Sequence, residues 1–397
     1  MERESRFKVS STDVCGQETC QEIPFNVAPN TGEELSHISQ AIKNNKICGD
    51  GPYTKKCNDW IQQNCNTQKA LLTTSGTSAL EMSVLLAGIG EGDEVILPSF
   101  TFSSTATSCV LAGATCVFVD VHPATMNISP ECVEAAITDK TKAIMAVHYA
   151  GVSCDMDALQ QIANAHNLFL IEDAAQGVMS SYKGKPLGSI GDFGCFSFHE
   201  TKNYSMGEGG ALLVRDEKHN EGAEILREKG TNRSNFLRGA VDKYTWVGYG
   251  SSYLPSDLNA AHLYPQLLQA HEINNDRLET WNFYYNQLSD LASAGEIELP
   301  YIPEYCTHNA HMFYIKLANL TKRDAFISFM GDKDIWCVFH YVPLHSSPAG
   351  LKFGRFHGED RYTTSESDRL VRLPMFYGIT KSQRERVVSA IYDFFAE

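Results

Sequence analysis

The chain has no apolar run long enough to span a bilayer, which excludes a helical transmembrane protein. Positive charge is also scarce: 33 Lys and Arg stand against 48 Asp and Glu, a net charge of -15. That balance excludes non-specific affinity for nucleic acid or anionic membrane, and leaves room for a local basic pocket holding a small anion. Metal-binding patterns are missing as well. No CxxC pair occurs and no Cys/His grouping has zinc spacing, so the 12 cysteines are expected to be reduced thiols, several of them in the core. A disulfide scaffold is not expected. No GxxxxGK[ST] run is present, which removes that kind of nucleoside-triphosphate loop. The first 22 residues, MERESRFKVSSTDVCGQETCQE, lack an apolar signal core. They are expected to form a polar extension on a cytoplasmic protein. No internal repeat or low-complexity segment is seen.

What is present is a long, regular alternation. A chain of 397 residues that is 43% apolar can bury a large core, in two lobes. From about Glu33 to Val214, apolar strand-like runs alternate with amphipathic helical runs: ALLTTSG, then TSALEMSVLLAGI, then DEVILPS, TFSSTATSCVLAG and ATCVFVDV. CVEAAI, TKAIMAVHY, DMDALQQIANAHN and LFLIEDAAQ continue the rhythm. Strands apolar on both faces predict an α/β fold with a mostly parallel central sheet covered by helices. Ligands of such sheets gather at the C-terminal strand ends. After Lys202 the texture changes. Ser256 to Leu288 reads as long helices linking the lobes, and strands are expected at His311–Leu317 and Cys337–Leu344. An amphipathic helix from Lys381 closes the chain. The expected division is 1–22 as extension, 23–270 as large domain and 271–397 as a smaller C-terminal α/β domain.

Four strand-end features draw attention. NLFLIEDAAQG ends an apolar strand in Glu172 and Asp173. Asp173 suits a helix cap, a metal ligand or the partner of a cationic ligand nitrogen, while Glu172 is compatible with a solvent-facing position. TTSGTSAL opens a helix with small residues, and its free N–H groups together with Thr77 and Ser78 suit a phosphate. An ordinary Ser/Thr helix cap is the plain alternative. In FTFSS, Phe100 and Phe102 suit either a stacked planar ring or core packing. Lys202, five residues after Ser197, lies in CFSFHETKNYSMGEGGALLV between a strand-like run and a glycine cluster; a lone lysine is normally a solvated charge. Taken together, the four describe a ligand with a phosphate, a planar ring, a basic ring nitrogen and an aldehyde. Pyridoxal 5'-phosphate has all of these.

FSFHETKNYSMGEGGALL, TSGTSAL, DEVILPSFTFSSTA, FVDVHPATMNI, VHYAG and EDAAQG closely resemble the DegT/DnrJ/EryC1/StrS sugar aminotransferases, with the resemblance running from about Ile23 to the C-terminus. The resemblance implies a fold-type I aminotransferase with pyridoxal phosphate, working as a homodimer with shared active sites. It assigns Lys202 as the lysine that holds the cofactor covalently, Asp173 as the carboxylate beside the ring nitrogen, and Gln176 as a neighbour of the ring hydroxyl. Phe102 would stack on the ring, and Gly76, Thr77, Ser78 and Ser197 would hold the phosphate. A G-x-N-x-R run common in relatives, which reaches into the partner's site, corresponds here to Gly250-Ser251-Ser252-Tyr253-Leu254. Ser252 replaces the Asn and the arginine's charge is lost. Lys46, Tyr149, His340 and His345 match sugar-site segments, and Arg233 and Arg238 suit a diphosphate. Satisfied small-lobe histidines and a solvated NRSNFLRG loop are the alternatives. Further stretches, among them KICGDGPYTKKC and VFHYVPLHSSPAG, resemble one branch of the family that uses L-glutamate and dTDP-4-keto-6-deoxy-D-glucose. Related dehydratases of this fold carry histidine at the lysine position, and a non-catalytic derivative would be expected to lose Lys202 or Asp173; both residues are present.

Overall fold

A computed structural model describes residues 22–396. The expected extension lies almost wholly outside the described residues. The strands are β1 Lys69–Thr73, β2 Glu94–Pro98, β3 Thr115–Val119, β4 Thr141–Val147, β5 Phe169–Asp173, β6 Ser181–Tyr182 and β7 Lys185–Pro186. They continue with β8 Phe193–Ser197, β9 Gly210–Val214, β10 Cys306–Thr307, β11 Tyr314–Lys316, β12 Val338–Phe339, β13 Gly354–Phe356 and β14 Leu370–Arg372.

Eight strands form the main sheet in the order β1-β9-β8-β5-β4-β2-β3-β13. β13, β3, β2, β4, β5 and β8 pair in parallel, and β9 runs antiparallel between β8 and β1. The mostly parallel α/β architecture expected from the alternation is therefore present. Its cause is visible along each strand: β1, β2, β3 and β5 are buried at every residue but the first, and β8 and β9 throughout. Side chains that alternate faces pack into two separate apolar layers. Leu72, Ile96, Val117, Ile144 and Leu170 enter one, and Leu71, Val95, Cys116, Met145 and Ile171 the other.

The helices begin at caps written in the sequence. Ser75, Ser129, Asp155, Ser256, Asn319 and Ser347 each accept a backbone N–H in the first turn. One helix is capped from far away. Pro52–Cys65 follows Gly51, which has no side chain to cap it; the buried carboxylate of Asp257 accepts from Tyr53 N, Thr54 N and Thr54 Oγ1 at 3.2, 2.7 and 2.8 Å.

Ser256–Leu288 becomes two helices, Asp257–Leu268 and Ala270–Gln287. Beyond them β11, β14 and β12 form a small sheet around its own core of Phe313, Ile315, Phe326, Val371 and Ile391. The expected strands shorten: His311–Leu317 contracts to β11 and Cys337–Leu344 to β12. Within the expected 271–397 unit the chain also returns to the main sheet, where β13 extends its edge beside β3. Asp120, just after β3, holds that return by accepting from the N–H groups of Arg361, Tyr362 and Thr363 and from Thr363 Oγ1. No helix of the described residues is long and apolar enough to cross a membrane.

Candidate active site

The four strand-end features converge because their strands run the same way. β1 delivers Ser75 to Ser78, β2 delivers Phe102, β5 ends on Asp173, and the turn between β8 and β9 carries Lys202. Ser75 to Thr77, Phe102, Asp173 and Lys202 face one cavity of about 680 Å³, lined also by Gln176, Ser197 and His340 among others.

At one wall the helix Gly76–Leu86 begins. Ser75 Oγ accepts from Ser78 N at 3.0 Å, while the N–H groups of Gly76 and Thr77 have no acceptor within the helix. The backbone here is tightly apposed to the β8–β9 hairpin. A Cβ at Gly76 would lie 2.9 Å from Ser197 Cβ, and one at Gly210 would lie 2.5 Å from the Ser75 carbonyl carbon. Glycine at both positions lets this helix end approach the cavity. Thr77 Oγ1 and Ser104 Oγ lie 2.7 Å apart. Ser78 is turned inward, its hydroxyl 3.0 Å from Ser75 Oγ and 2.9 Å from Thr74 Oγ1; it supports the turn and does not line the cavity.

Asp173 is buried, accepting from Thr105 Oγ1 at 2.7 Å and from Ala175 N at 3.2 Å. Burial raises its pKa, and these hydrogen bonds and Lys202 act against that rise. No helix follows it, so the helix-cap reading fails. Among the described residues no cluster of three or more His, Cys, Asp or Glu could hold a metal, so that reading has no support either. Glu172, for which a solvent-facing position is one reading, is fully buried. Its carboxylate accepts from Gly188 N, Ile190 N and Gly191 N at 2.8, 2.7 and 2.6 Å and lies 2.9 Å from His148 Nε2. Cys154 N donates to His148 Nδ1, so Nε2 carries the proton towards Glu172. The position next to Asp173 therefore pins the loop behind the site.

Lys202 reaches the cavity from a turn closed by Lys202 N donating to His199 O. Burial lowers its pKa to about 8, against the pull of Asp173 and with the help of Arg372. Gln176 accepts from Ala150 N at 2.6 Å and donates to Tyr341 OH at 3.0 Å. Of the two phenylalanines in FTFSS, Phe100 is core and Phe102 is 59% exposed at the cavity wall.

Of the remaining candidates, only His340 lines the cavity, with Tyr149 directly behind it. Tyr149 is fully buried behind the wall, its hydroxyl 2.9 Å from His340 Nδ1. His340 lines the cavity and stacks on Tyr341 at 3.5 Å, and burial holds it neutral. His345 is anchored elsewhere, 2.7 Å from Ser99 Oγ and 3.3 Å from Asp360. Arg238 is engaged bidentately by Glu224, and Arg233 lies 3.4 Å from Glu228. Lys46 and Ser252 do not line this cavity. The run holding Ser252 nevertheless passes close by, since Thr74 N donates to Tyr253 O. Three contributors carried no signal of their own in the sequence: Thr105, Tyr341 and Arg372. Thr105 sits one helical turn beyond Phe102, the only hint available. Arg372, in RLVRLPM, sits among apolar residues with no local mark of what it faces.

The donor set suits pyridoxal phosphate. Free helix-end N–H groups meet an anion, an exposed aromatic meets a ring, a buried carboxylate meets a cationic nitrogen, and a partly neutral amine meets a carbonyl. The DegT/DnrJ/EryC1/StrS aminotransferase family model matches residues 29–392. A spore coat polysaccharide biosynthesis protein, SpsC of Bacillus subtilis, is 30% identical over 379 residues, covering 94% of this chain and 96% of its own. An aminotransferase from Psychrobacter cryohalolentis superimposes with a TM-score of 0.87 at 27% identity, covering 94% of this chain and 99% of its own. A sugar aminotransferase of Streptococcus pneumoniae, solved in its PLP form, gives a TM-score of 0.84 at 25% identity, covering 94% and 98%. With this match across nearly the whole chain and the cofactor-shaped donor set at the strand ends, the chain belongs to the DegT/DnrJ/EryC1/StrS aminotransferase family and is a pyridoxal phosphate-dependent sugar aminotransferase.

Proposed function

We propose that the protein transfers the amino group of L-glutamate to C4 of dTDP-4-keto-6-deoxy-D-glucose, giving dTDP-4-amino-4,6-dideoxy-D-galactose and 2-oxoglutarate. The observation that carries the reaction type is Lys202 and Asp173 facing one cavity with the helix end at Gly76 and Thr77. The sugar assignment rests on resemblance. KICGDGPYTKKC, REKGTNRSNFLRGAVDKYTWVGYGSSYLPSDL, HNAHMFYIKL and FHGEDRYTTSESDRLVRLPMFY resemble dTDP-4-amino-4,6-dideoxygalactose transaminases of enterobacterial common antigen synthesis.

Bound pyridoxal phosphate supplies the carbonyl that exchanges amines and the electron sink for charge developing at the substrate carbon. Lys202 would hold it covalently and, once the amino donor has taken its place, is the base that would take a proton from the donor's α-carbon and later deliver one to sugar C4. A pKa near 8 leaves an appreciable neutral fraction for that base. Asp173 would favour a protonated ring nitrogen, Gln176 would neighbour the ring hydroxyl, and Phe102 would cover the ring. Gly76, Thr77 and Ser197 would hold the phosphate, with Ser78 bracing the turn. A homodimer with shared sites is part of this reading: Ser252, Lys46, Arg233 and Arg238 would serve the partner's cavity. His340 is the candidate contact to sugar from within the chain.

The test is NMR identification of the product formed from pyridoxal phosphate, L-glutamate and dTDP-4-keto-6-deoxyglucose. An axial amine at C4 is the expected result. An equatorial amine, or one at C3, would replace the sugar assignment, and no amine at all would overturn the substrate.

A further inference from the structure

Two permanently or readily cationic side chains of lysine and arginine type line the cavity, Lys202 and Arg372, against two carboxylates, Asp173 and Glu208. Lys202 is committed to the cofactor. Arg372 has no such task. It stands at the end of β14, on the small sheet, and is held by Phe339 O, which accepts from its Nη2 at 3.2 Å, and by the Phe25 ring, 4.6 Å from its guanidinium carbon. Its Nε is buried without a hydrogen-bond partner. The neighbours that favour its charge are the phenols of Tyr149 and Tyr341, not carboxylates, and burial works against the charge. A guanidinium held in place, partly desolvated and lacking a counter-ion is a site that gains most from a bidentate anion.

We infer that Arg372 is the subsite for a carboxylate of the amino donor. The inference rests on the aminotransferase reading. In that reaction the donor's amine must reach the carbon that Lys202 would hold, and Arg372 lines the same cavity as Lys202. One glutamate carboxylate is bonded to the reacting carbon and the other lies three bonds away, so the donor's anionic groups stay within this part of the cavity. The rings of Phe25 and Phe339 line the cavity beside the guanidinium and put apolar surface next to the pair, which strengthens it. The phosphate of the cofactor has its own seat on a different element, the helix end at Gly76.

The experiment titrates the pyridoxal phosphate-loaded protein with glutarate, a dicarboxylate with no amine to react, following cofactor absorbance, and in parallel with dTDP. Arg372→Gln should retain the cofactor spectrum and raise the glutarate dissociation constant about 10- to 100-fold, as loss of a charge-assisted hydrogen-bonded pair implies, with dTDP binding unchanged. Arg372→Lys keeps the charge and loses the fork, so its constant should fall between the two. In single-turnover reactions with L-glutamate, the half-saturating concentration should rise more than the limiting rate falls. Weakened dTDP binding with unchanged glutarate binding would make the anion the nucleotide diphosphate and overturn the inference. Equal binding of both ligands by wild type and variants would overturn it too. A wild-type protein that reacts with L-glutamate yet ignores glutarate would show that this side chain does not recognise the donor by its carboxylates. Should Arg372→Gln fail to fold, Arg372→Lys alone decides between these outcomes.

Discussion

Lys202 is the residue on which the chemistry turns, and its environment sets the pH at which it works. Burial lowers its pKa to about 8 while Asp173 pulls it up. Capture of the cofactor aldehyde needs the neutral amine, whose fraction grows as pH rises through 8. Reconstitution of the cofactor-free protein should therefore quicken about tenfold per unit below pH 8 and level off above it. Asp173→Asn removes the charge that raises the lysine, so the midpoint should move down; an upward or absent shift would contradict the electrostatic account. The same variant should bind cofactor yet lose roughly 10²–10³ in turnover, because an amide does not favour the protonated ring nitrogen. Lys202→Ala should abolish covalent attachment, read by mass after borohydride reduction, and cost at least about 10²–10⁴ in turnover. Near-normal turnover would remove Lys202 from its role.

At the scale of elements, the site depends on buried carboxylates that never touch it. Asp257 begins one helix and caps another, supplying three acceptor contacts to Tyr53 and Thr54. Asp257→Ala leaves those buried donors unpaired and should cost about 2–4 kcal/mol in denaturant unfolding. Glu172 is the stricter case, since three N–H groups and an imidazole converge on one carboxylate. Glu172→Gln places an NH₂ against donors. It should destabilise by about 2–3 kcal/mol, with a disturbance in the 188–191 turn visible as faster amide exchange. Unchanged exchange there would show that the turn is held by its own backbone.

The whole molecule couples the main sheet and the small β11-β14-β12 sheet through the cavity. Arg372 and His340 arrive from the small-sheet side, while Lys202, Asp173 and Gly76 come from the main sheet. Asp120 and β13 bind the C-terminal segment back onto that main sheet. The exposed run of Phe236, Leu237, Tyr244, Trp246, Val247 and Tyr249 lies beside the segment holding Ser252. With the proposed homodimer these side chains would be covered. Light scattering should then give about twice the 44.1 kDa chain mass, and a monomer at working concentration would remove the shared-site reading.

From sequence alone, the α/β class was legible because strands buried on both faces are apolar throughout, and the alternation with helices leaves few other architectures. Lys202, Asp173 and the Gly76–Ser78 turn were legible because each ends or follows such a strand, and parallel strands carry their ends to one edge. Which side of Asp173's neighbour faced inward was not legible. Glu172 is charged and is compatible with a solvent-facing position, and only the packed 188–191 turn, with three N–H groups, together with the His148 imidazole provides the four donors that let it be buried. Likewise FTFSS could not say which phenylalanine was core; the turn into the helix at Ser103 decides that Phe102 meets the cavity and Phe100 does not. Arg372 needed the tertiary structure most. It lies 170 positions after Lys202, and no local pattern distinguishes an arginine facing solvent from one facing a cavity on another sheet. Sequence periodicity reports which face of an element is buried; what that face meets depends on long-range packing.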